Sequence, residues 1–158
     1  MLVNSFLFRM TFMNTNDLTN QIAIISGGLG DIGRAIAIEL AKRGADIAIG
    51  DLHLPEEAEP FISELQKIGA KACYHQIDVS EDASVVAWLA AVETKLGTPT
   101  IIIPNAAIVT QASICDMDST QWQREIDINL NGAFHLAKSG ANHLKKTSLP
   151  GRIVFIGS

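Results

Sequence analysis

At 158 residues, the chain has the length of a single domain, and its 47% of hydrophobic residues can fill a buried core. Its formal net charge of −5 provides no basic surface for nucleic acid or anionic lipid, so a small molecule is the expected partner. No run approaches the roughly 18 apolar residues of a membrane-spanning helix, which argues against membrane insertion.

The N-terminal segment and the cysteines bear on where the protein resides. Residues 1–15 are apolar but interrupted by polar residues, and they are predicted to form a disordered extension. A signal peptide is the alternative, and Met10 or Met13 is an alternative start. The cysteines, Cys73 and Cys115, lie far apart without CxxC spacing, which argues against a zinc site or a disulfide framework. Both are expected to be reduced, as in a cytoplasmic protein.

Five short, mostly apolar runs are predicted to be strands buried on both faces, because they are continuous rather than alternating. In chain order they are Ile22–Ser26, Asp46–Asp51, Ala72–Ile77, Thr100–Pro104 and Arg152–Ile156. Apolar residues between them recur at helical spacing, which predicts four helices, the last and longest from about Thr120 to Lys146. Their apolar stripes are Ile32, Ile36 and Leu40; Phe61, Ile62, Leu65 and Ile68; Val85, Leu89, Val92 and Leu96; and Trp122, Ile126, Leu130 and Phe134. Trp88 and Trp122 are expected to pack in the core or against another helix.

This alternation of strands and helices predicts an α/β fold, with a doubly wound parallel sheet and helices on both faces. In such a sheet, ligands bind at the carboxyl ends of the strands, near the point where the strand order reverses. Residues that directly follow each strand are therefore the candidates for a binding site.

A glycine-rich turn joins the first strand to the first helix. Gly28, Gly30 and Gly33 form a GxGxxG pattern there. Glycine lets the backbone approach a pyrophosphate closely, and the free N–H groups and dipole of the following helix attract the anion. This context predicts a dinucleotide phosphate site, and a glycine turn without a ligand is the alternative.

Two aspartates follow the next two strands. Asp51 lies 18 residues after Gly33, where a carboxylate binds the adenosine ribose hydroxyls and repels a 2′-phosphate, which favours NAD over NADP. An ordinary turn aspartate is the alternative. Asp78, followed by Val79, either accepts a hydrogen bond from the adenine amino group or organises the start of the third helix together with Ser80.

The segment Pro104-Asn105-Ala106-Ala107 follows the fourth strand. Its small side chains would let the backbone pass beneath a ribose or nicotinamide, and Asn105 can bridge neighbouring strands. A plain loop is the alternative. No metal site is predicted, because His135 and His143 on the fourth helix have no acidic or cysteine partner at ligand spacing.

Together these residues resemble the short-chain dehydrogenase/reductase family of Rossmann-fold, NAD(P)-dependent oxidoreductases. The resemblance covers residues 16–158 as an incomplete NAD(P)-binding domain, and it implies the strand order 3-2-1-4-5. Where the family's Thr-Gly-x-x-x-Gly-x-Gly loop has its second glycine, this chain has Asp31, which is expected either to lie close to the anion or to cap a helix beginning at Ile32. The resemblance assigns the loop's cofactor contacts to Ser26, Gly27, Leu29, Gly30, Asp31, Ile32 and Gly33.

The resemblance extends to three further motifs. The family's Asn-Asn-Ala-Gly motif falls on Pro104–Ala107 and keeps Asn105-Ala106, which implies that residues 105–107 contact the cofactor. Asn129 matches the helix asparagine that holds a proton-relay water, and a polar position that breaks helix regularity is the alternative. Ser158 matches the catalytic serine after the fifth strand. The family's Tyr-x-x-x-Lys motif is absent, and Tyr74 is the chain's only tyrosine.

The resemblance therefore implies an oxidoreductase that interconverts an alcohol and a carbonyl. Because proton transfer needs a tuned acid–base group, this chain alone is expected to bind NAD without turnover. A noncatalytic NAD-binding regulatory module is the alternative, and a Rossmann-like methyltransferase would leave Asn105, Asn129 and Ser158 unexplained. The fifth strand is expected to be an apolar edge that lowers solubility or requires a partner segment. Two copies are expected to pair through the fourth helix.

Overall fold

The computed structural model describes residues 17–157, which form a five-stranded parallel sheet flanked by helices. Residues 1–16, which include the predicted extension, and the predicted catalytic Ser158 lie outside the described residues. The elements are β1 (Ile22–Ser26), α1 (Asp31–Lys42), β2 (Asp46–Asp51), α2 (Pro55–Ile68), β3 (Ala72–Gln76), α3 (Asp82–Lys95), β4 (Ile101–Ile103), α4 (Ser119–Glu125), a π-helical segment (Ile126–Gly132), α5 (Ala133–Thr147) and β5 (Arg152–Ile153).

The strand order is β3-β2-β1-β4-β5, and every neighbouring pair is parallel, which confirms the predicted doubly wound sheet. The chain moves outward from β1 through β2 to β3 and then crosses back to β4. The order therefore reverses between β1 and β4, which is where an open parallel sheet leaves a crevice for a ligand. Ser26 at the end of β1 pairs in register with Gly50 near the end of β2, so both strands finish at the same edge.

Side chains on the central strands alternate between two cores. Ile25 on β1 and Ile49 on β2 pack with α1 and α2, whereas Ile24 on β1 and Ala48 on β2 pack on the opposite face with α3 and α5. All four are fully buried, which explains why these strands are continuous apolar runs in the sequence.

β5 lies at one edge of the sheet, and it is shorter than predicted because only Arg152 and Ile153 form the regular ladder with β4. The chain nevertheless continues along β4 in extended form. The Val154 N–H donates to the Ile102 carbonyl at 2.9 Å, and the Ile156 N–H donates to the Pro104 carbonyl at 3.1 Å.

The fully buried residues of α1 are small, Gly33, Ala37 and Ala41, while Ile36 and Leu40 of the predicted stripe are partly buried and pack against the core. Ile32 is 60% exposed. The reason is steric, because the helix runs so close to the glycine loop and the sheet that larger side chains are displaced to its flanks. The predictions for the next two helices are confirmed at Phe61 and Leu65 on α2 and at Val85, Trp88, Leu89 and Val92 on α3, all of which are buried.

The predicted fourth helix corresponds to α4, the π-helical segment and α5, which follow one another without a break from Ser119 to Thr147. We refer to these three elements together as the long helix. Its predicted stripe faces outward, since Trp122, Leu130 and Phe134 are each more than half exposed, and Trp122 therefore does not pack in the core. Ile128, Leu136 and Gly140 are buried instead, and Leu136 is fully buried in the core cluster that also contains Ile102. A Cβ added to Gly140 would lie 2.6 Å from Cδ1 of Ile102, so the helix can approach β4 only with glycine there. Across residues 17–157, none of the helices combines the length and apolar character needed to cross a membrane.

Candidate functional site

A cleft of about 550 Å³ opens at the carboxyl edge of the sheet, where the order of the strands reverses. Residues from the loops after β1, β2, β3 and β4 meet there, as the sequence predicts. The predicted cofactor-binding residues that line the cleft are Gly27, Gly30, Asp31, Ile32, Gly33, Asp51, Asp78, Val79, Asn105, Ala106 and Ala107. Ser26, Leu29 and Asn129 do not line it, although each is hydrogen-bonded to a loop that does.

The glycines of the first loop have different steric surroundings. Gly27 has φ +63°, and a Cβ there would lie 2.7 Å from Cα of Ala106. A Cβ on Gly33 would lie 2.5 Å from the carbonyl oxygen of Gly27. Gly30 has room by comparison, because the nearest atom to an added Cβ is that same oxygen at 3.5 Å. Packing within the protein thus requires glycine at positions 27 and 33, whereas at position 30 the protein itself leaves space beside the cleft.

The first turn of α1 points backbone N–H groups at this cleft. The helix begins at Asp31, and its first intrahelical bond runs from the Arg34 N–H to the Gly30 carbonyl at 2.9 Å. The N–H groups of the three residues before Arg34 have no acceptor within the helix, which is the usual arrangement for anion binding. The expectation that Asp31 caps a helix beginning at Ile32 is wrong, because Gly30 holds the capping position and Asp31 is itself the first helical residue.

The Asp51 carboxylate joins the end of β2 to the glycine loop. Its Oδ2 accepts from the Leu29 N–H at 3.0 Å, and its Oδ1 accepts from the Leu52 N–H at 2.8 Å. Oδ1 also lies 2.7 Å from Nδ1 of His53. The side chain is only 11% exposed, so its position is fixed by these contacts. Asp51 therefore organises the turn, as the alternative interpretation expects, and at the same time lines the cleft.

His53 also lines the cleft, although the sequence reasoning missed it. The hydrogen bond with Asp51, followed by the negative charge of that carboxylate, raises the pKa of His53 above its ordinary value. The signal was available, because a histidine two residues after a strand-ending aspartate can fold back onto it within one turn.

Tyr74 supports this loop from β3. Its hydroxyl donates to the backbone carbonyls of Asp51, at 3.0 Å, and of His53. Burial, together with the charges of Asp51 and Glu57, raises the pKa of Tyr74 to about 12. A hydroxyl so placed stays protonated near neutral pH and serves to hold the loop.

The Asp78 carboxylate is used mainly to organise the turn before α3. Its Oδ1 accepts from the backbone N–H of Ser80 at 2.9 Å and from the Ser80 hydroxyl at 2.6 Å. The Asp78 N–H donates to Oγ of Ser84 at 3.2 Å. These contacts match the helix-organising alternative, and the residue still borders the cleft beside Val79.

Asn105 bridges β4 and β1, which confirms the structural part of its prediction. Its Nδ2 donates to the carbonyls of Ser26 and Gly27, both at 3.0 Å. The Ser26 hydroxyl oxygen in turn accepts from the backbone N–H groups of Asn105, at 3.1 Å, and Ala106, at 3.2 Å. These four bonds fix residues 105–107 directly beneath the glycine loop.

Asn129 lies in the π-helical segment and binds the loop that follows β4. Its Oδ1 accepts from the Ile108 N–H, and its Nδ2 donates to the Ile108 carbonyl, each at 2.8 Å. Glu125, one turn earlier, accepts from the Thr110 N–H. The helix irregularity expected in the alternative interpretation is present, and it accompanies a two-point clamp on a loop wall of the cleft. The sequence reasoning did not identify Glu125.

His135 and His143, the two histidines considered for a metal site, contact different partners. Nδ1 of His135 donates to the Val79 carbonyl at 2.9 Å, and Nε2 of His143 lies 2.9 Å from Oε1 of Glu93. Cys73 is buried, which raises its pKa, and Cys115 is exposed, and both are free thiols. In the part of the chain that the structure describes, no three His, Cys, Asp or Glu side chains are grouped to hold a metal ion.

Comparison with known proteins gives consistent results in sequence and structure. The family described as short chain dehydrogenase matches residues 21–158. The chain is 33% identical to a 3-oxoacyl-(acyl-carrier-protein) reductase of Pseudomonas aeruginosa over 141 residues, which cover 89% of this chain and 56% of the relative. It is 30% identical to glucose 1-dehydrogenase 2 of Bacillus subtilis over 143 residues, which cover 90% of this chain and 55% of the relative.

Solved structures show the same likeness. A short-chain type dehydrogenase/reductase of Mycobacterium marinum superposes with a TM-score of 0.86 at 29% identity, covering 90% of this chain and 56% of that one. An NAD+-bound xylitol dehydrogenase superposes with a TM-score of 0.84 at 27% identity, covering 89% of this chain and 54% of that one. The chain thus spans about half the length of the curated relatives it matches.

Proposed function

Because the chain belongs to the short-chain dehydrogenase family, we propose that it binds NAD in the described cleft, within an oxidoreductase that interconverts an alcohol and a carbonyl. The observation that carries this proposal is the meeting of the glycine loop, Asp51 and residues 105–107 around one cleft at the carboxyl edge of the sheet. Family membership also favours an oxidoreductase over the methyltransferase class.

The cleft has suitable groups for each part of the adenosine diphosphate half. The N–H groups at the start of α1 would face the pyrophosphate, and the open space beside Gly30 would let it approach the backbone. Asp51 would accept one hydrogen bond from the adenosine ribose, since Leu29, Leu52 and His53 use three of the roughly four lone-pair positions of its carboxylate. Its negative charge supports NAD over NADP, because a 2′-phosphate would be repelled there.

Residues 105–107 would form the floor beneath the nicotinamide ribose, with Asn105 fixing their distance from the glycine loop. Bound NAD would supply the hydride acceptor. Asn129 would hold the adjoining loop through Ile108, and the family's catalytic serine role would fall to Ser158. We also propose that Asn129 holds a water molecule of a proton relay and that Asp78 accepts a hydrogen bond from the adenine amino group.

Among residues 17–157, no side chain beside the proposed nicotinamide position is an evident donor of the proton needed for turnover. Tyr74, the single tyrosine, does not line the cleft, because its hydroxyl donates to the backbone carbonyls of Asp51 and His53 behind it, and its pKa is raised to about 12. A general acid for a neutral-pH reaction needs a pKa nearer to the working pH. We therefore propose that the 158-residue polypeptide binds NAD without turning it over. The same observation supports the second candidate, a noncatalytic NAD-binding module.

We also propose that two copies of the chain pair through the exposed apolar side chains of the long helix, which is formed by α4, the π-helical segment and α5. Leu130 and Phe134, one turn apart, are 61% and 59% exposed, and Trp122 is 53% exposed. Large apolar side chains grouped on one helix favour burial against a partner. We also propose that the protein is located in the cytoplasm. The two free thiols support this location, because disulfides are rare there.

Titration of the full chain with NADH, compared with S-adenosylmethionine, tests the cofactor assignment. NADH is expected to bind and S-adenosylmethionine is not. A Gly30→Val variant is expected to fold, because residue 30 has the extended angles φ −72° and ψ 163° that valine adopts readily, and an added Cβ has room.

The valine would occupy the proposed pyrophosphate position, so NADH affinity should fall about tenfold or more, equivalent to roughly 1.4 kcal/mol. Ala90→Val on α3 is the matched control, since Ala90 is exposed and does not line the cleft, and the NADH affinity of this variant should equal that of the wild type. Selective binding of S-adenosylmethionine, or equal NADH affinity in all three proteins, would contradict the proposal.

A further inference from the structure

His53 lies at the end of the cleft where the adenosine ribose is proposed to bind. Its Nδ1 is 2.7 Å from Oδ1 of Asp51, and its side chain is 54% exposed toward solvent. The loop that carries it is held in place, because the Tyr74 hydroxyl donates to the carbonyls of Asp51 and His53, and Nε2 of Gln76 donates to the Leu52 carbonyl at 3.0 Å. The imidazole is thus a fixed neighbour of the carboxylate.

Charged groups from several elements surround the imidazole. The hydrogen bond to Asp51 and the charge of that carboxylate raise the pKa of His53, and Glu57 on α2 acts in the same direction. Burial and Arg34 on α1 lower it by smaller amounts. Tyr74 on β3, whose pKa is raised to about 12, stays neutral over the range in which a histidine titrates.

The Arg34 side chain is held by groups other than His53. Its Nε donates to the Leu29 carbonyl at 2.8 Å, and its guanidinium carbon lies 4.5 Å from the centre of the Phe61 ring. His53 is therefore the group next to Asp51 whose charge changes within the physiological pH range.

Protonation changes what this corner of the cleft offers to a ligand. In the neutral imidazole, Nδ1 donates to Asp51 and Nε2 is a bare acceptor, which is unfavourable toward a phosphate. In the imidazolium, Nε2 also becomes a donor, and the positive charge offsets the negative charge of Asp51. A hydroxyl of NAD is affected little by this change, whereas the 2′-phosphate of NADP gains both a donor and relief from repulsion.

We propose that His53 makes the choice between NAD and NADP depend on pH, with discrimination against NADP weakening as the pH falls. The inference rests on the proposed NAD site. It assigns to His53 a role in cofactor selectivity, exerted directly on the 2′ position of the adenosine ribose.

The experiment measures the affinities of the full chain for NAD+ and NADP+ by isothermal titration calorimetry, from about pH 5.5 to about pH 8.5, which brackets the titration of histidine. The 2′-phosphate itself titrates near pH 6, so the wild type must be compared with a variant that lacks the imidazole. His53→Gln retains an N–H donor for Asp51 but carries no charge at any pH.

Across this range, the ratio of the NADP+ to the NAD+ dissociation constant is expected to fall about three- to tenfold more, on lowering the pH, in the wild type than in His53→Gln. His143→Gln is the matched control. This histidine also lies 2.9 Å from a carboxylate, that of Glu93, but it does not line the cleft. It should behave as the wild type.

Equal pH dependence in the wild type and His53→Gln would overturn this inference while leaving the NAD site intact. Failure of both cofactors to bind would instead overturn the proposed function. A second measurement covers the case in which His53→Gln does not fold. By reciprocity, the pKa of His53, followed by NMR, must be higher in the NADP+ complex than in the NAD+ complex, and equal values would refute the proposal.

Discussion

Substitution of Gly33 by alanine tests the close approach between α1 and the glycine loop. The added Cβ would lie 2.5 Å from the Gly27 carbonyl oxygen and 2.7 Å from Cα of Gly28, which are both backbone atoms that a side-chain rotation cannot move. The loop or the helix must therefore shift. Overpacking of this kind costs about 1–3 kcal/mol. Alanine recovers roughly 0.5–1 kcal/mol of helix propensity, so the net loss lies between about 0 and 2.5 kcal/mol, with a central value of about 1.3 kcal/mol.

The assay is thermal and urea unfolding of the full chain. For a protein of this size, each kcal/mol lowers the melting temperature by about 2–4 °C, so the central value corresponds to a decrease of about 3–5 °C. Gly30→Ala is the informative control, because its Cβ has room, and it should unfold within about 0.5 kcal/mol of the wild type. If Gly33→Ala melts at or above the wild-type temperature, the inferred steric contact does not restrain the fold.

Three further substitutions test the negative charge of Asp31, the hydrogen bonds from Asn129 to the loop after β4, and the exposed apolar face of the long helix. Asp31→Asn removes a negative charge beside the proposed pyrophosphate and should strengthen NADH binding about two- to fivefold, whereas weaker binding would contradict this placement. It should also lower the free energy of unfolding by roughly 0.3–1 kcal/mol, because Asp31 interacts favourably with the helix dipole. Asn129→Ala removes both hydrogen bonds to Ile108, which together contribute about 1–2 kcal/mol. Hydrogen exchange at the Ile108 amide should therefore accelerate about tenfold. Unchanged protection of this amide would argue against the role of Asn129 in holding the loop. Phe134→Glu places a charge in the exposed stripe and should shift a dimer toward monomer in sedimentation, while unchanged association would place the interface elsewhere.

The sheet and the position of the cleft could be predicted because both depend on local chemistry. β1 and β2 begin and end at the predicted residues, since burial on both faces requires an uninterrupted apolar run that polar or glycine residues bring to an end. The bridge made by Asn105 was also predictable. A short amide side chain directly after a parallel strand can reach the carbonyls of only the neighbouring strand, and here it reaches those of Ser26 and Gly27.

The orientation of the helices could not be predicted in the same way. Hydrophobic periodicity favours the face with the largest apolar side chains, but α1 packs through Gly33 and Ala37 because it must lie close to the glycine loop. In the long helix, Leu136 and Gly140 are buried whereas the larger Phe134 is exposed. Which face of a helix is buried therefore also depends on how closely the helix approaches its neighbours, and hydrophobic periodicity alone does not give this.

The contacts of Asn129 and Asp51 depend on folding at long range. Asn129 meets Ile108 across 21 residues, and Asp51 meets Leu29 across 22, so neither pairing leaves a periodic signal in the sequence. An irregular helix at Asn129 was one of the two interpretations of the sequence, but its π-helical form could not be predicted, because these residues are also compatible with an ordinary α-helix. Its position at the end of a strand identified Asp51 as a candidate, and the family resemblance identified Asn129, but the partners that hold both side chains emerged only from the tertiary structure.

Asp51 links the two halves of adenosine diphosphate recognition. One carboxylate oxygen accepts from the Leu29 N–H in the glycine loop, and the other faces Leu52 and His53. A change at this residue therefore alters both the loop proposed to hold the pyrophosphate and the contacts proposed for the ribose. NAD and NADP share the same pyrophosphate, so the contribution of the loop cancels in the ratio of their affinities. That ratio isolates the 2′ position, which is where the charge of His53 is proposed to act.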